Sequence, residues 1–243
     1  MPEVTFMNTL DFSIPLKELL SSHQLVGRSG RSFDNLGSRS TFNNLVVLRN
    51  LFFELKPART LEIGLAFGAS SLIFTESHRE LNRPPQKQHI AIDPFQTDYW
   101  DACGLMANER AGLAGYLELI ERYSCYELPE LAQRNLKFGL VYIDGSHQFE
   151  DVFVDFYYIS RLVEPGGVVA FDDSSDKQVA KVLRFIDANL SSGWERVDLA
   201  PYRADAGKSL KWRVGRLLGK QQLVAYKKIG NGLRNADDAF KQF

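Results

Sequence analysis

Cysteine is scarce in this chain. Cys103 and Cys125 are the only two, and neither stands in a metal-type or redox-type pair spacing. A disulfide scaffold and a thiolate zinc site are therefore excluded. Long apolar runs are missing too, since none approaches the roughly 18 residues a membrane span needs. The opening residues Met1–Phe6 show neither a basic nor an apolar leader region, so no signal peptide is read there. Net charge is nearly absent, with 29 basic and 30 acidic residues. No global field draws the chain to nucleic acid or to an anionic membrane, and any charged partner must be met locally. Repeats and low-complexity segments are also absent. The expectation is a cytoplasmic protein with reduced thiols and no membrane partner, and with nucleic acid disfavoured.

The 243 residues, 44% hydrophobic and 24% charged, suit one α/β domain with a sizeable core. Residues 1–57 read as a helical and looped segment covering a site. It comprises a short helix over Ile14–Leu20, a Gly/Ser/Arg-rich loop over Gly27–Ser40, and a helix over Thr41–Leu55 capped by Thr41 and stopped at Pro57. Residues 58–229 read as the main domain. Strands are predicted at Arg59–Ile63, His89–Ile92, Tyr116–Ile120, Gly139–Ile143 and Gly167–Phe171. Helices follow at Ala69–Leu81, Asp98–Gly112, Glu127–Arg134, Phe149–Val163 and Lys177–Leu190. This alternation implies a Rossmann-like, mostly parallel sheet with helices on both faces. Two late strands, Trp194–Leu199 and Gln222–Lys227, have no complete helix evident between them and suggest an antiparallel edge hairpin. Residues 202–220 form a basic insert, and 230–243 a polar tail expected to fray or serve in contacts.

In such sheets a ligand lies across the carboxyl ends of the strands. The first strand ends in Glu62, Gly64 and Gly68. Gly64 lets the chain turn sharply, and Gly68 is expected to let the backbone approach a ligand, while Ala66 and Ser70 keep the loop small. A dinucleotide fingerprint needs a second glycine where Ala66 stands, and acidic Glu62 would repel a pyrophosphate. The pattern suits a cationic or amino-bearing ligand such as S-adenosylmethionine (SAM). Asp93 ends the second strand, where a carboxylate can accept both ribose hydroxyls; its other reading is a turn residue before Pro94. Ser124 and Tyr123 could meet an adenine edge and face, or form an ordinary helix start.

Four segments together carry a family resemblance. They are Thr60–Ser70 (TLEIGLAFGAS), Ile92–Asp93, Tyr142–His147 (YIDGSH) and Glu164–Asp173 (EPGGVVAFDD). This set resembles the class I SAM-dependent methyltransferases grouped with macrocin O-methyltransferase and the catechol O-methyltransferase-like enzymes, over about residues 40–190. The resemblance implies a seven-stranded sheet, SAM as cofactor and often a divalent metal holding a hydroxyl acceptor. It also implies Asp144, Asp172 and Asp173 as metal ligands and His147 as the base.

The residues themselves allow the same chemistry. Asp144 ends the fourth strand, and Asp172 and Asp173 end the fifth. Three carboxylates converging on one rim repel, and a divalent cation such as Mg²⁺, Ca²⁺ or Mn²⁺ relieves them. Caps and pairing with Arg or Lys are the structural alternative. His147 titrates near neutrality and can take a hydroxyl proton, or can merely hydrogen-bond its loop. His23, His78 and His89 have no such neighbours in sequence. Arg28, Arg31 and Arg39, with the bases of 202–220, could grip an anionic small-molecule acceptor or simply be solvated surface. The aromatic helix with Phe153, Phe156, Tyr157 and Tyr158 could pack in the core or support a homodimer. Alternatives to O-methylation are an RNA substrate for the basic insert, a non-catalytic SAM-binding partner module, and a nucleotide-dependent oxidoreductase.

Overall fold

The computed structural model describes residues 12–218, 220–234 and 237–243. The chain begins with α1 (Ile14–Ser21), the short strands β1 (Leu25–Val26) and β2 (Ser32–Phe33), and α2 (Phe42–Leu55). Strands and helices then alternate: β3 (Thr60–Ile63), α3 (Ala69–Glu80), β4 (His89–Ile92), α4 (Cys103–Arg110), β5 (Leu117–Ile120) and α5 (Ser124–Gln133). β6 (Phe138–Ile143), α6 (Phe149–Leu162), β7 (Val163–Phe171) and α7 (Lys177–Asn189) continue the pattern. β8 (Trp194–Arg196), a 3-10 turn at Ala200–Tyr202, α8 (Leu210–Leu217) and β9 (Val224–Lys228) complete it.

Seven strands form one sheet in the order β5-β4-β3-β6-β7-β9-β8. β3 to β7 pair in parallel, while β9 is antiparallel to both β7 and β8. The late strands do pair antiparallel. However, it is β9 that joins the parallel body, and α8 stands between them in sequence where no complete helix was evident.

Every residue of β3, β4 and β6 is buried, as expected of strands covered on both faces. Alternation divides their side chains. Leu61, Ile63, Ile90, Ile92, Val141 and Ile143 share a core with the apolar stripes of α5, α6 and α7. Leu140, Tyr142, Val168 and Ala170 share another with α1, α2 and α3. On α7 the buried stripe is Val179, Val182, Leu183 and Ile186, the spacing of one helix face.

Local chemistry explains the shifted boundaries. The helix predicted from Asp98 starts only at Cys103, because Asp101 and Ala102 turn left-handed with φ of 47° and 59°. The Asp101 carboxylate instead accepts the Ser29 backbone N–H at 3.0 Å. Thr41 caps α2 as predicted, its hydroxyl accepting from Asn44 N at 3.4 Å, and Lys56 ends it in a left-handed turn before Pro57. On α6, Phe156 packs on Phe171 and Trp194, and Phe153 on Phe149 and Phe185, so these aromatics serve the core. The tail is held rather than frayed where it is described. Phe240 and Phe243 pack on Phe185, and Trp194 Nε1 donates to Gly232 O at 2.9 Å. Among the described residues no helix is long and apolar enough to cross a membrane.

Register sets the site. Ile63 pairs with both Ile92 and Ile143, and Ile143 with Phe171. Gly64, Asp93, Asp144 and Asp172 therefore leave their strands at one level. Sheet order reverses between β3 and β6, which opens a crevice at that rim.

Candidate functional site

A cavity of about 560 Å³ occupies this crevice. Gly64, Ala66, Asp93, Tyr123, Ser124, Asp144, His147, Asp172 and Asp173 line it, beneath the segment Gly37–Thr41. Gly64 has φ +91°, and a Cβ there would lie 2.2 Å from the Asp144 carbonyl oxygen. Only glycine lets β3 and β6 part so closely. Gly68 (φ +85°) has a different reason from the one expected. Its missing Cβ would sit 2.9 Å from Gly104 Cα, so it admits the start of α4 rather than a ligand, and it does not line the cavity.

Asp93 holds the glycine turn from the next strand. Its Oδ2 accepts the N–H groups of Leu65 at 3.1 Å and Ala66 at 2.9 Å, and the Gln96 amide at 3.0 Å. Its Oδ1 accepts Phe95 N at 2.9 Å. Amides that would cradle a phosphate elsewhere are already committed here, to a carboxylate.

Glu62 and Ser70 lie behind the turn, outside the cavity lining. Ser70 Oγ donates to Glu62 Oε2 at 2.7 Å. Glu62 also ends a buried chain of polar contacts. Arg83 meets His78 Nδ1 at 2.7 Å, His78 Nε2 lies 3.1 Å from the Thr60 hydroxyl, and that hydroxyl lies 2.9 Å from His89 Nδ1. His89 Nε2 then lies 3.0 Å from Glu62 Oε1, and among the described residues no other polar contact satisfies either atom. Because Arg83 can only donate, His78 accepts on Nδ1 and carries its hydrogen on Nε2, toward the Thr60 hydroxyl. Burial pulls the His78 pKa down to about 3, consistent with that state. Two histidines without sequence neighbours thus anchor the turn from below.

The acidic corner separates its members. His147 Nε2 lies 2.9 Å from Asp173 Oδ2. Ligand atoms of Asp144, His147 and Asp173 all fall within 4.8 Å of one another. Asp172 is left out of that cluster. It accepts from Asn44 Nδ2 at 2.8 Å, from Gln222 Nε2 at 3.2 Å and from the Tyr142 hydroxyl, and caps the Asp173 N–H at 2.8 Å. Asp144 Oδ2 accepts the Ser40 hydroxyl at 3.2 Å. Hydroxyl and amide donors, not basic side chains, meet these two carboxylates. Burial, and then repulsion among the Asp carboxylates, pushes both pKa values up. The Asp173 hydrogen bond raises the His147 pKa, and the same contact lowers that of Asp173. Asp176, not Asp173, caps α7, accepting Gln178 N at 2.7 Å.

Toward the other end of the cavity, Ser124 opens α5 with Tyr123 as its N-cap. Facing them is Asp155 of α6, 2% exposed and lining the cavity, with no hydrogen-bond partner for Oδ1 among the described residues. Burial raises its carboxyl pKa to about 7, against the opposing effect of a hydrogen bond with Ser124.

The arginines of the first loop are engaged internally. Arg28 pairs with Glu109 at 2.6 Å, and Arg31 donates to Tyr99 O at 3.1 Å. Arg39 donates to Ser22 O at 3.1 Å and to Leu19 O. From the late insert and its flank, only Gln222 lines the cavity among the described residues. Ser40, Asn44, Tyr142, Gln222 and Asp155 went unread in the sequence. The first four reach the acids across 30 to 128 positions; Tyr142 opens the YIDGSH motif, but nothing local shows that it meets Asp172, and no local motif marks the other three.

Residues 61–174 match the family model of a methyltransferase domain. No curated protein matches the sequence. The O-methyltransferase TomG from Streptomyces achromogenes, involved in tomaymycin synthesis and solved with SAM, is 18% identical. Its TM-score is 0.63, covering 90% of this chain and 91% of that one. The Bacillus cereus O-methyltransferase solved with SAH is 15% identical, with TM-score 0.58 and coverage of 89% and 91%. CalS11, a TDP-rhamnose 3′-O-methyltransferase of calicheamicin biosynthesis, is also 15% identical, with TM-score 0.56 and coverage of 77% and 79%. At such identities the likeness carries the fold alone. The chain thus has the fold of these O-methyltransferases, and a stretch of somewhat under half its length, residues 61–174, is similar to a methyltransferase domain.

Proposed function

We propose that this enzyme methylates a hydroxyl oxygen of a small acceptor, with His147 taking the hydroxyl proton. The observation that carries this reading is the His147–Asp173 contact of 2.9 Å at the cavity that begins at the glycine turn. The O-methyltransferase names of the structural neighbours support an oxygen acceptor.

The residues fit SAM. Gly64, Ala66, Asp93 and Ser124 would hold it, on a turn whose Leu65 and Ala66 amides are closed to an anion by Asp93. SAM supplies an electrophilic methyl group on a sulfonium. The protein's task is to hold the acceptor oxygen in line with that methyl and exclude water. With SAM and acceptor bound, the His147 imidazole would take the hydroxyl proton as the oxygen is methylated. Asp173 occupies His147 Nε2, leaving Nδ1 to face the hydroxyl, and stabilises the imidazolium formed.

The corner also fits a divalent cation. Asp144, His147 and Asp173 would hold it, and the imidazole favours Mn²⁺ over Mg²⁺. Such an ion would lower the pKa of an acceptor hydroxyl. Asp172 would support this set through the Tyr142 and Asn44 contacts rather than join it.

His147→Ala is expected to lower kcat by about 10²- to 10⁴-fold on small phenols or sugars, with SAM affinity unchanged by calorimetry. Full turnover in the variant would refute the role. Chelation separates the two uses of His147. Activity that survives chelation supports the His–Asp pair alone, and activity lost and restored by Mn²⁺ supports the ion.

A further inference from the structure

Helix α8 is amphipathic the wrong way round for a surface helix. None of its residues is buried. Leu210, Val214, Leu217 and the capping Leu218 are 73%, 45%, 86% and 65% exposed. At about 100° per residue they fall within one arc of about 100°. Lys211 and Arg213 border that arc on either side. The opposite side faces the protein. There Trp212 lies between the Arg203 and Arg216 guanidinium groups, 5.0 and 5.5 Å from its ring, and Arg216 reaches Asp198 at 2.8 Å. The helix is thus oriented by its polar side, and its aliphatic side is presented outward. A helix packed on a soluble core does the reverse.

We propose that α8 is a surface anchor for anionic membranes, its leucines entering the headgroup boundary and its flanking bases meeting lipid phosphates. Charge selects this occupant. Residues 202–220 hold six basic residues and one acid, in a chain that is otherwise acidic. An anionic bilayer answers both the apolar arc and the positive rim. A symmetric pairing of two copies through the arc would bring Lys211 and Arg213 against their own counterparts. RNA is answered less well, since bases stack on aromatic faces and Trp212, the helix's only aromatic, is turned inward. The connection that carries α8 also delivers Gln222 to the cavity, which joins the anchor to the acidic corner along the chain. The proposal does not rest on the acceptor chemistry proposed above.

The test is cosedimentation of the full chain with sucrose-loaded vesicles, of phosphatidylcholine alone or with about 30% phosphatidylglycerol. Binding to the anionic vesicles is expected to exceed that to neutral ones by about tenfold or more, and to weaken with salt. The double variants Leu210→Asp/Leu217→Asp and Lys211→Glu/Arg213→Glu should each lose it, while both keep SAM affinity by calorimetry. Absence of binding to anionic vesicles would overturn the proposal. So would binding that survives in the leucine variant, since charge alone would then suffice. Two further outcomes overturn it in favour of another partner. One is a dimer in sedimentation equilibrium that the leucine variant abolishes without any vesicle binding. The other is a tRNA gel shift that only the charge variant loses, again without vesicle binding.

Discussion

Asp155 shows what a single side chain can cost and allow. A buried carboxyl with an unpartnered oxygen is unfavourable when ionised, and its pKa of about 7 in the fold lies above the ordinary 3.8. The native state therefore holds this proton more tightly than the unfolded chain. Its stabilising contribution is complete below about pH 4 and is lost as pH rises through 7. Asp155→Asn cannot ionise. The variant should be more stable than the parent at pH 8 by about 1–3 kcal/mol in urea melts, with the gap closing near pH 4. An equal midpoint at pH 8 would mean that the carboxylate finds compensation there. The strand-end acids and His147 were legible because a position just past a parallel strand is itself a signal. Asp155 was not, because a polar residue in mid-helix looks the same whether it meets solvent or a cavity.

Among elements, the segment Gly37–Thr41 depends most on one residue. Arg39 ties it to the C-terminal carbonyls of α1, at Leu19 and Ser22, and to Leu36 O at 3.1 Å. That tie brings Ser40 to Asp144, and α2 then brings Asn44 to Asp172. Arg39→Ala should cost about 1–3 kcal/mol and speed amide exchange across 37–41, with the amides of β3 and β6 unaffected. Unchanged exchange in the segment would show that it is held otherwise. The parallel strands were legible from short apolar runs, and α2 from its Thr41 cap and Pro57 stop. The insertion of β9 between β7 and β8 was not. Strand order at a sheet edge is decided by pairing across the sheet, and nothing within Val224–Lys228 encodes it. The late start of α4 was also hidden, because Ser29 takes the Asp101 carboxylate from 72 residues away.

Over the whole molecule, two cores share one sheet and the cavity lies at its rim, between the strand ends and α5, α6 and the 37–41 segment. A ligand there touches elements from both faces and should stabilise the fold as a unit. At a SAM concentration about 100 times its Kd, linkage gives about 2.7 kcal/mol, or a rise of about 5–10 °C in Tm for a chain of this size. NAD at the same concentration should give none. A comparable rise with NAD would overturn the reading of the turn. Global charge could not have located this cavity, since a chain near neutrality offers no field to follow. Three acidic strand ends in register, Asp93, Asp144 and Asp172, did.

The grip of Asp93 on the glycine turn bears on how cofactor choice could be rewritten. Substituting Ala66→Gly, even with Ala69→Gly beside it, would restore the letters of the dinucleotide pattern and leave the Leu65 and residue-66 amides pledged to a carboxylate on the neighbouring strand. Calorimetry of that variant should detect no NAD binding. The decisive residue for such a conversion stands 27 positions downstream of the glycine loop it governs. An engineer or a lineage changing cofactors here would have to begin at Asp93.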